Sequence, residues 1–129
     1  MIKKLLLAVL IVLVLYAIFT YRTSSRARFS DAAKADIPHG IKIVTDKYEG
    51  WKDYQIDYVI SLDSLAAKHY IQNIEQSPFY YLNGVNNEKK GVWYSTAEGF
   101  RFMSDTNRIT CNIEFDTMKN IATFTETSN

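Results

Sequence analysis

"YQIDYVISLDSLAAKHYIQNIEQSP", residues 54–78, changes its periodicity halfway along. Tyr54, Ile56, Tyr58, Ile60 and Leu62 occupy every second position. Gln55, Asp57 and Ser61 fill the alternate ones, with Val59 the apolar exception. A period of two predicts a strand with one face in a core and the other in water. Beyond it the apolar set reads Leu62, Leu65, Ala66, His69, Tyr70 and Ile74, which is one face of a helix with 3.6 residues per turn. Ser61 or Asp63 is placed to cap that helix by accepting a backbone N–H, and Ser77-Pro78 ends it.

Working outward, the strand pattern recurs on both sides. Upstream, Ile41, Ile43 and Thr45 alternate with Lys42, Val44 and Asp46, and Glu49-Gly50 supplies a turn. Downstream, residues 79–82 offer a short extra strand, and residues 83–91 form a polar loop. Val92, Tyr94 and Thr96 then alternate, followed by Phe100, Phe102 and Ser104, and then by Ile109, Cys111, Ile113 and Phe115. Turns fall at Glu98-Gly99, at 105–107 and at 116–120, and residues 121–127 close the pattern. Short links between successive strands make antiparallel neighbours. The order is β-β-α-β-β-β-β, and the expected fold is α+β, with one helix packed on a curved antiparallel sheet over residues 37–129. Pro38 and Gly40 separate this body from whatever helix precedes it.

The first 28 residues are of another kind. Lys3, Lys4, Arg22, Arg26 and Arg28 give them five positive charges and no acid. The remaining 10 basic residues stand against all 14 acidic ones, so the body carries −4 while the whole chain carries +1. A mildly acidic body without a basic stripe does not attract nucleic acid. Residues 5–21 are almost wholly apolar, after a short basic tail at 1–4, and predict a single-pass transmembrane helix of the signal-anchor kind. Such a helix rises about 25 Å, and Lys4 and Arg22 can reach toward the headgroups at its ends. Removal as a secretory signal is the alternative. It would want a clean run of small residues just after the core, where the candidates at 23–27 lie among Arg22, Arg26 and Arg28. Residues 22–36 read as a polar juxtamembrane linker. A short basic start favours a bacterial inner-membrane protein with its body outside the cytoplasm, on the periplasmic side.

Cys111 is the lone cysteine, so no disulfide framework is possible within the chain, and its place on the apolar side of a strand marks it as a core residue. His69 is expected to pack on the helix's apolar face and His39 to lie on a solvated bend. Neither has the spacing of a metal ligand. With five glycines in all and no G-x-S-x-G or phosphate-binding loop, no catalytic, metal-ligating or cofactor-binding residue is assigned. Aromatics are in excess, at 14%, and some stand in adjacent pairs whose rings must leave a strand on opposite faces. Trp51, Phe79, Tyr80, Tyr81 and Trp93, with Lys89 and Lys90, therefore make a candidate partner-binding patch. The expected function is a membrane-anchored extracytoplasmic accessory or protein-interaction module without catalytic activity. Alternatives are a ligand-binding or enzymatic pocket between helix and sheet, with His69 as its best candidate, or a secreted inhibitor released by signal cleavage.

Overall fold

The structure, a computed structural model, describes residues 1–20, 24–80 and 90–128, with the side chains of 18–20 set aside. It is built on a six-stranded sheet in the order β1-β2-β6-β5-β4-β3, comprising β1 (Ile41–Glu49), β2 (Gln55–Leu62), β3 (Trp93–Ser95), β4 (Gly99–Thr106), β5 (Ile109–Asp116) and β6 (Ile121–Ser128). Every pairing between these strands is antiparallel, as the short turns require. β2 buries Ile56, Tyr58, Ile60 and Leu62, the set its period of two selects. Ala122, Phe124 and Glu126 of β6, Cys111, Ile113 and Phe115 of β5, Phe102 of β4 and Trp93 of β3 complete the inner face. Beyond the expected short strand, Tyr80 makes a single parallel bridge to Trp93, while 81 and 82 lie outside the described residues.

Helix α3 (Ser64–Glu75) carries the chain from β2 past three strands to β3. Asp63 caps it, its Oδ1 accepting the Ala66 N–H at 2.7 Å. The buried stripe is Ala66, Ala67, Tyr70 and Ile74. The expected face is thus rotated by about one residue. Leu65 is 64% exposed and His69 is exposed, so the histidine does not pack against the sheet. The reason is steric. Two adjacent alanines let the helix lie close, and Tyr70 then reaches Phe115 and Trp93, at 5.0 and 6.3 Å between ring centroids.

A second helix shares the layer where a linker was expected. Helix α2 (Ser25–Ala33) is capped by Ser24, whose Oγ accepts from Ala27 N at 3.2 Å, and it ends at Lys34 in the left-handed region (φ 50°). Phe29, with no exposed surface, sits against Tyr58, Tyr70 and Phe124. The Ala33 carbonyl accepts hydrogen bonds from Ser77 Oγ and Trp93 Nε1, both at 2.9 Å. Ala35 and Ile37 continue the buried run. The packed unit therefore begins at Ser25 rather than at Ile37, with two helices over the sheet rather than one. Residue composition concealed this: one phenylalanine among Ser, Arg and Asp is enough when it points at the core.

Helix α1 (Ile2–Thr20) precedes both. Its described side chains are exposed on every side, from Leu5 through Tyr16. Among the described residues no helix is long and apolar enough to cross a membrane. The spanning segment expected at 5–21 is not established as such, because the described apolar side chains stop at Ala17, a rise of about 20 Å from Leu5 against a ~30 Å hydrocarbon layer. Tyr21 lies outside the described residues.

Candidate functional site at the open sheet edge

The two edges of the sheet differ. β3 is three residues long and has the Tyr80 bridge beside it. β1 runs for nine residues, and among the described residues no strand pairs with its outer side. A long open edge presents unpaired backbone N–H and C=O groups, a template for another strand. Its register against β2 shifts between Ile43 and Thr45, so that Val44 is an extra residue. Ile41 and Ile43 lie opposite the buried Leu62 and Ile60. After the bulge, Asp46 and Tyr48 lie opposite the buried Tyr58 and Ile56. These four share the helix-covered face. Lys42, Thr45, Lys47 and Glu49, opposite Ser61, Val59, Asp57 and Gln55, share the other. The bulge thus ends the simple alternation expected for 41–46. Ile43 and Val44 are 55% and 58% exposed.

The β1–β2 turn needs glycine. Gly50 has φ +96°, and a Cβ there would lie 2.1 Å from the Asp53 carbonyl oxygen. Trp51 stands beyond it, 88% exposed. The base of the turn is braced, for Tyr48 stacks on Tyr54 with centroids 5.5 Å apart and planes 19° from parallel. The Arg28 guanidinium of α2 lies over the Tyr54 ring, 5.5 Å from its centroid. Arg28 Nη1 donates to Glu126 Oε2 at 2.5 Å and to Tyr54 Oη at 3.1 Å, and Tyr54 Oη donates to the same carboxylate oxygen at 2.9 Å. Burial works against the Arg28 charge, but the hydrogen bonds to Tyr54 and Glu126 outweigh it and leave its pKa raised. The Tyr54 hydroxyl is also raised, by burial first and then by its bond to Glu126. Glu126 is 7% exposed and faces Ile56 and Cys111 across the sheet, so Arg28 is the cation that makes a carboxylate tolerable there.

Of the aromatic patch, the structure brings Phe79 and Tyr80 beside Trp93, whose backbone N–H donates to the Phe79 carbonyl at 2.8 Å, and leaves Trp51 apart from them. Trp51 stands at the β1–β2 turn. Trp93 is fully buried on the far strand, and Phe79 and Tyr80 are half-buried against Phe102 and Phe100. Lys90 is exposed and pairs with Asp105 at 3.2 Å, while Tyr81 and Lys89 lie outside the described residues. What the sequence reading passed over is the edge itself, Ile43, Val44 and Tyr48, and the Arg28–Tyr54–Glu126 brace. Glu126 carried a signal: with Ala122 and Phe124 it occupies the inward positions of its strand, where a carboxylate requires a partner.

Catalytic candidates fare differently. Burial, followed by the nearby Glu126 charge, pushes the Cys111 thiol up to about 12, far from a reactive thiolate. His39 and His69 are both exposed. Among the described residues no group of three or more His, Cys, Asp or Glu is placed to hold a metal ion. The space between helices and sheet is filled by the rings of Phe29, Tyr58, Tyr70, Trp93, Phe115 and Phe124. A hollow of about 190 Å³ lies at the sheet's end, by Phe100, Arg101 and Glu114, its arginine held by Glu114 at 3.4 Å, and another of about 320 Å³ lies at the β1–β2 turn, by Gly50, Asp53, Tyr54 and Thr127; the first is below and the second just above the ~300 Å³ where ligand sites begin. Comparison with protein-family models, with curated proteins and with solved structures yields no match for this chain.

Proposed function

We propose that this chain is a membrane-anchored interaction module: α1 inserts in a bilayer as a single-pass signal anchor and holds the α+β body on the extracytoplasmic side of a bacterial-type inner membrane. The observation that carries the reading is α1 itself. From Leu5 to Tyr16 its apolar side chains are exposed all round the helix, and water is a poor solvent for such a surface. A helix lying flat on a membrane would need one polar face, which this one lacks. Its backbone runs 19 residues, a rise of about 28 Å, and Lys3 and Lys4 flank one end while Arg22 follows the other. The body then acts by binding rather than by chemistry. This is supported by the protonated, buried Cys111, by the exposure of both histidines and by the long open edge at β1.

The test is expression of the full chain in a bacterial host. The intact mass should be recovered from the membrane fraction, alkaline carbonate should leave it there, and detergent should release it. Protease added to spheroplasts should cut the body. A complete chain recovered in the soluble fraction without detergent defeats the anchor. A chain shortened at its N-terminus and found in the medium supports release as a secreted inhibitor instead.

A further inference from the structure

We propose that the β1–β2 turn rests on the bilayer surface, with the Trp51 indole seated in the headgroup layer as a second, reversible membrane contact. The inference rests on the anchoring reading of α1 and names the surface on which the tethered body lies. Its test separates the two.

The exposed apolar side chains of the body are unevenly placed. Among the described residues beyond α1, seven large ones are exposed, and four of them, Ile43, Val44, Tyr48 and Trp51, belong to β1 and its turn. Leu65, Ile109 and Met118 each stand on a different element. Trp51, at 88%, is the most exposed of the seven and the bulkiest. Tryptophan joins an apolar ring to one N–H donor, the combination that favours the layer between hydrocarbon and water. The turn that presents it is stiff. Gly50 at φ +96°, the Tyr48–Tyr54 stack and the Arg28 guanidinium over Tyr54 fix its base. Little backbone freedom is then left to lose on contact.

The length of the tether agrees. Thr20 ends α1, and Ser24, four residues on, caps α2. Four residues span at most about 14 Å. An inserted α1 therefore keeps the cap of α2 close to the headgroups, which extend about 5–7 Å beyond the hydrocarbon on each side. Ser25, the first residue of α2, donates from Oγ to Asp46 Oδ1 at 2.7 Å, so the tether meets the body on β1. Trp51 follows Asp46 by five residues, at most about 17 Å along the same arm. The turn is thus held within reach of the bilayer, at a local concentration that lets a single indole count. Charge does not supply the attraction. Lys47 and Lys52 balance Glu49 and Asp53 around the turn, and Lys47 already holds Glu49 at 2.7 Å. The contact is one of a ring with a neutral headgroup layer, unlike the recruitment of a basic patch by anionic lipid.

The full chain reconstituted in phosphatidylcholine vesicles tests this by tryptophan quenching. Trp51 and Trp93 are its two tryptophans, and Trp93 is fully buried. Bromine placed high on the lipid acyl chains should quench the emission that Trp51→Phe removes and spare the remainder, which comes from Trp93. Adding phosphatidylglycerol should change nothing. A flexible spacer of about 20 Gly and Ser residues inserted after Arg22 should lower the quenching, because a longer tether dilutes the turn near the surface. Trp51 is exposed, so its replacement should leave the thermal melt of the body unmoved. Suppose the chain floats with the vesicles, yet Trp51 is quenched by iodide in the water and not by brominated lipid. The contact is then overturned and the anchor stands. Shielding from both quenchers overturns it in favour of a second copy or another protein over the turn. Quenching that requires phosphatidylglycerol, or that ignores the spacer, overturns it as well. A chain that does not float defeats the anchor, and this contact with it.

Discussion

Helices α1 and α2 are consecutive in the chain and opposite in fate. α1 is mostly Leu, Val and Ile, yet its described side chains are exposed; α2 reads "SRARFSDAA" and is built into the core. Average hydropathy ranks them the wrong way round for burial inside the protein. What decides burial is where each residue points once the sheet exists. Phe29 enters a socket of Tyr58, Tyr70 and Phe124, and Arg28, one position back, reaches the carboxylate on β6. α1 has no such socket among the described contacts. Each of its large side chains left in water forgoes about 1.5–3 kcal/mol. Protein is therefore the solvent of the second helix, and the anchor proposed for the first would give it lipid.

The sharpest way to break that contrast is to charge α1. Leu10→Arg with Leu13→Arg should cost insertion about 2.5–3.5 kcal/mol per arginine and shift the chain out of the carbonate-resistant membrane fraction. The thermal melt of the body should stay where it was. If the melt falls as well, α1 is part of the fold and the division between the helices is wrong. The converse experiment is Phe29→Ala, expected to destabilise the body by about 3–5 kcal/mol in urea unfolding while leaving membrane retention intact. A loss under 1 kcal/mol would mean that α2 is a loosely held strap rather than a part of the core.

Residues 54–78 disclosed the sheet, the helix and their order because their periods are clean and because Asp63 and Pro78 mark the ends. The strands from 93 to 128 were legible for the same reason. What escaped is tertiary. The stripe on α3 turned by about one residue because Ala66 and Ala67 permit close approach, and no local pattern records how near a helix may come. The β1 edge escaped because a bulge leaves no mark on composition: Val44 looks like any strand residue. The aromatic patch was inferred from adjacency, which predicts that one ring of a pair leaves the core. In Trp93-Tyr94 both are buried.

Arg28 sharpens the contrast at finer scale. Arg28→Met keeps much of the side chain's length and removes the charge, leaving Glu126 nearly buried with Tyr54 as its hydrogen-bond partner. A loss of about 2–4 kcal/mol is expected, with most of it recovered by adding Glu126→Gln, which removes the stranded charge. A double variant as unstable as the sum of the singles would show that the two residues act independently.

The smallest effect lies in the inner sheet beside that brace. The Cys111 thiol, raised to about 12 when folded, ionises near 8.5 in an unfolded chain. Between those values the folded state holds a proton that the unfolded state has lost, so stability falls as pH rises. The contribution is fully present below about pH 8 and declines by about 1.4 kcal/mol per pH unit above about 9. Tyr70, driven up by burial, adds to the decline only above the usual tyrosine range near 10. The unfolding free energy from urea titrations should therefore drop by about 1–2 kcal/mol between pH 7 and pH 10 in the parent chain and markedly less in Cys111→Val, which fills the same space without a titrating proton. Equal slopes in the two chains would mean that the thiol reaches water in the folded state, and that α2 and its arginine do not seal the sheet beneath them.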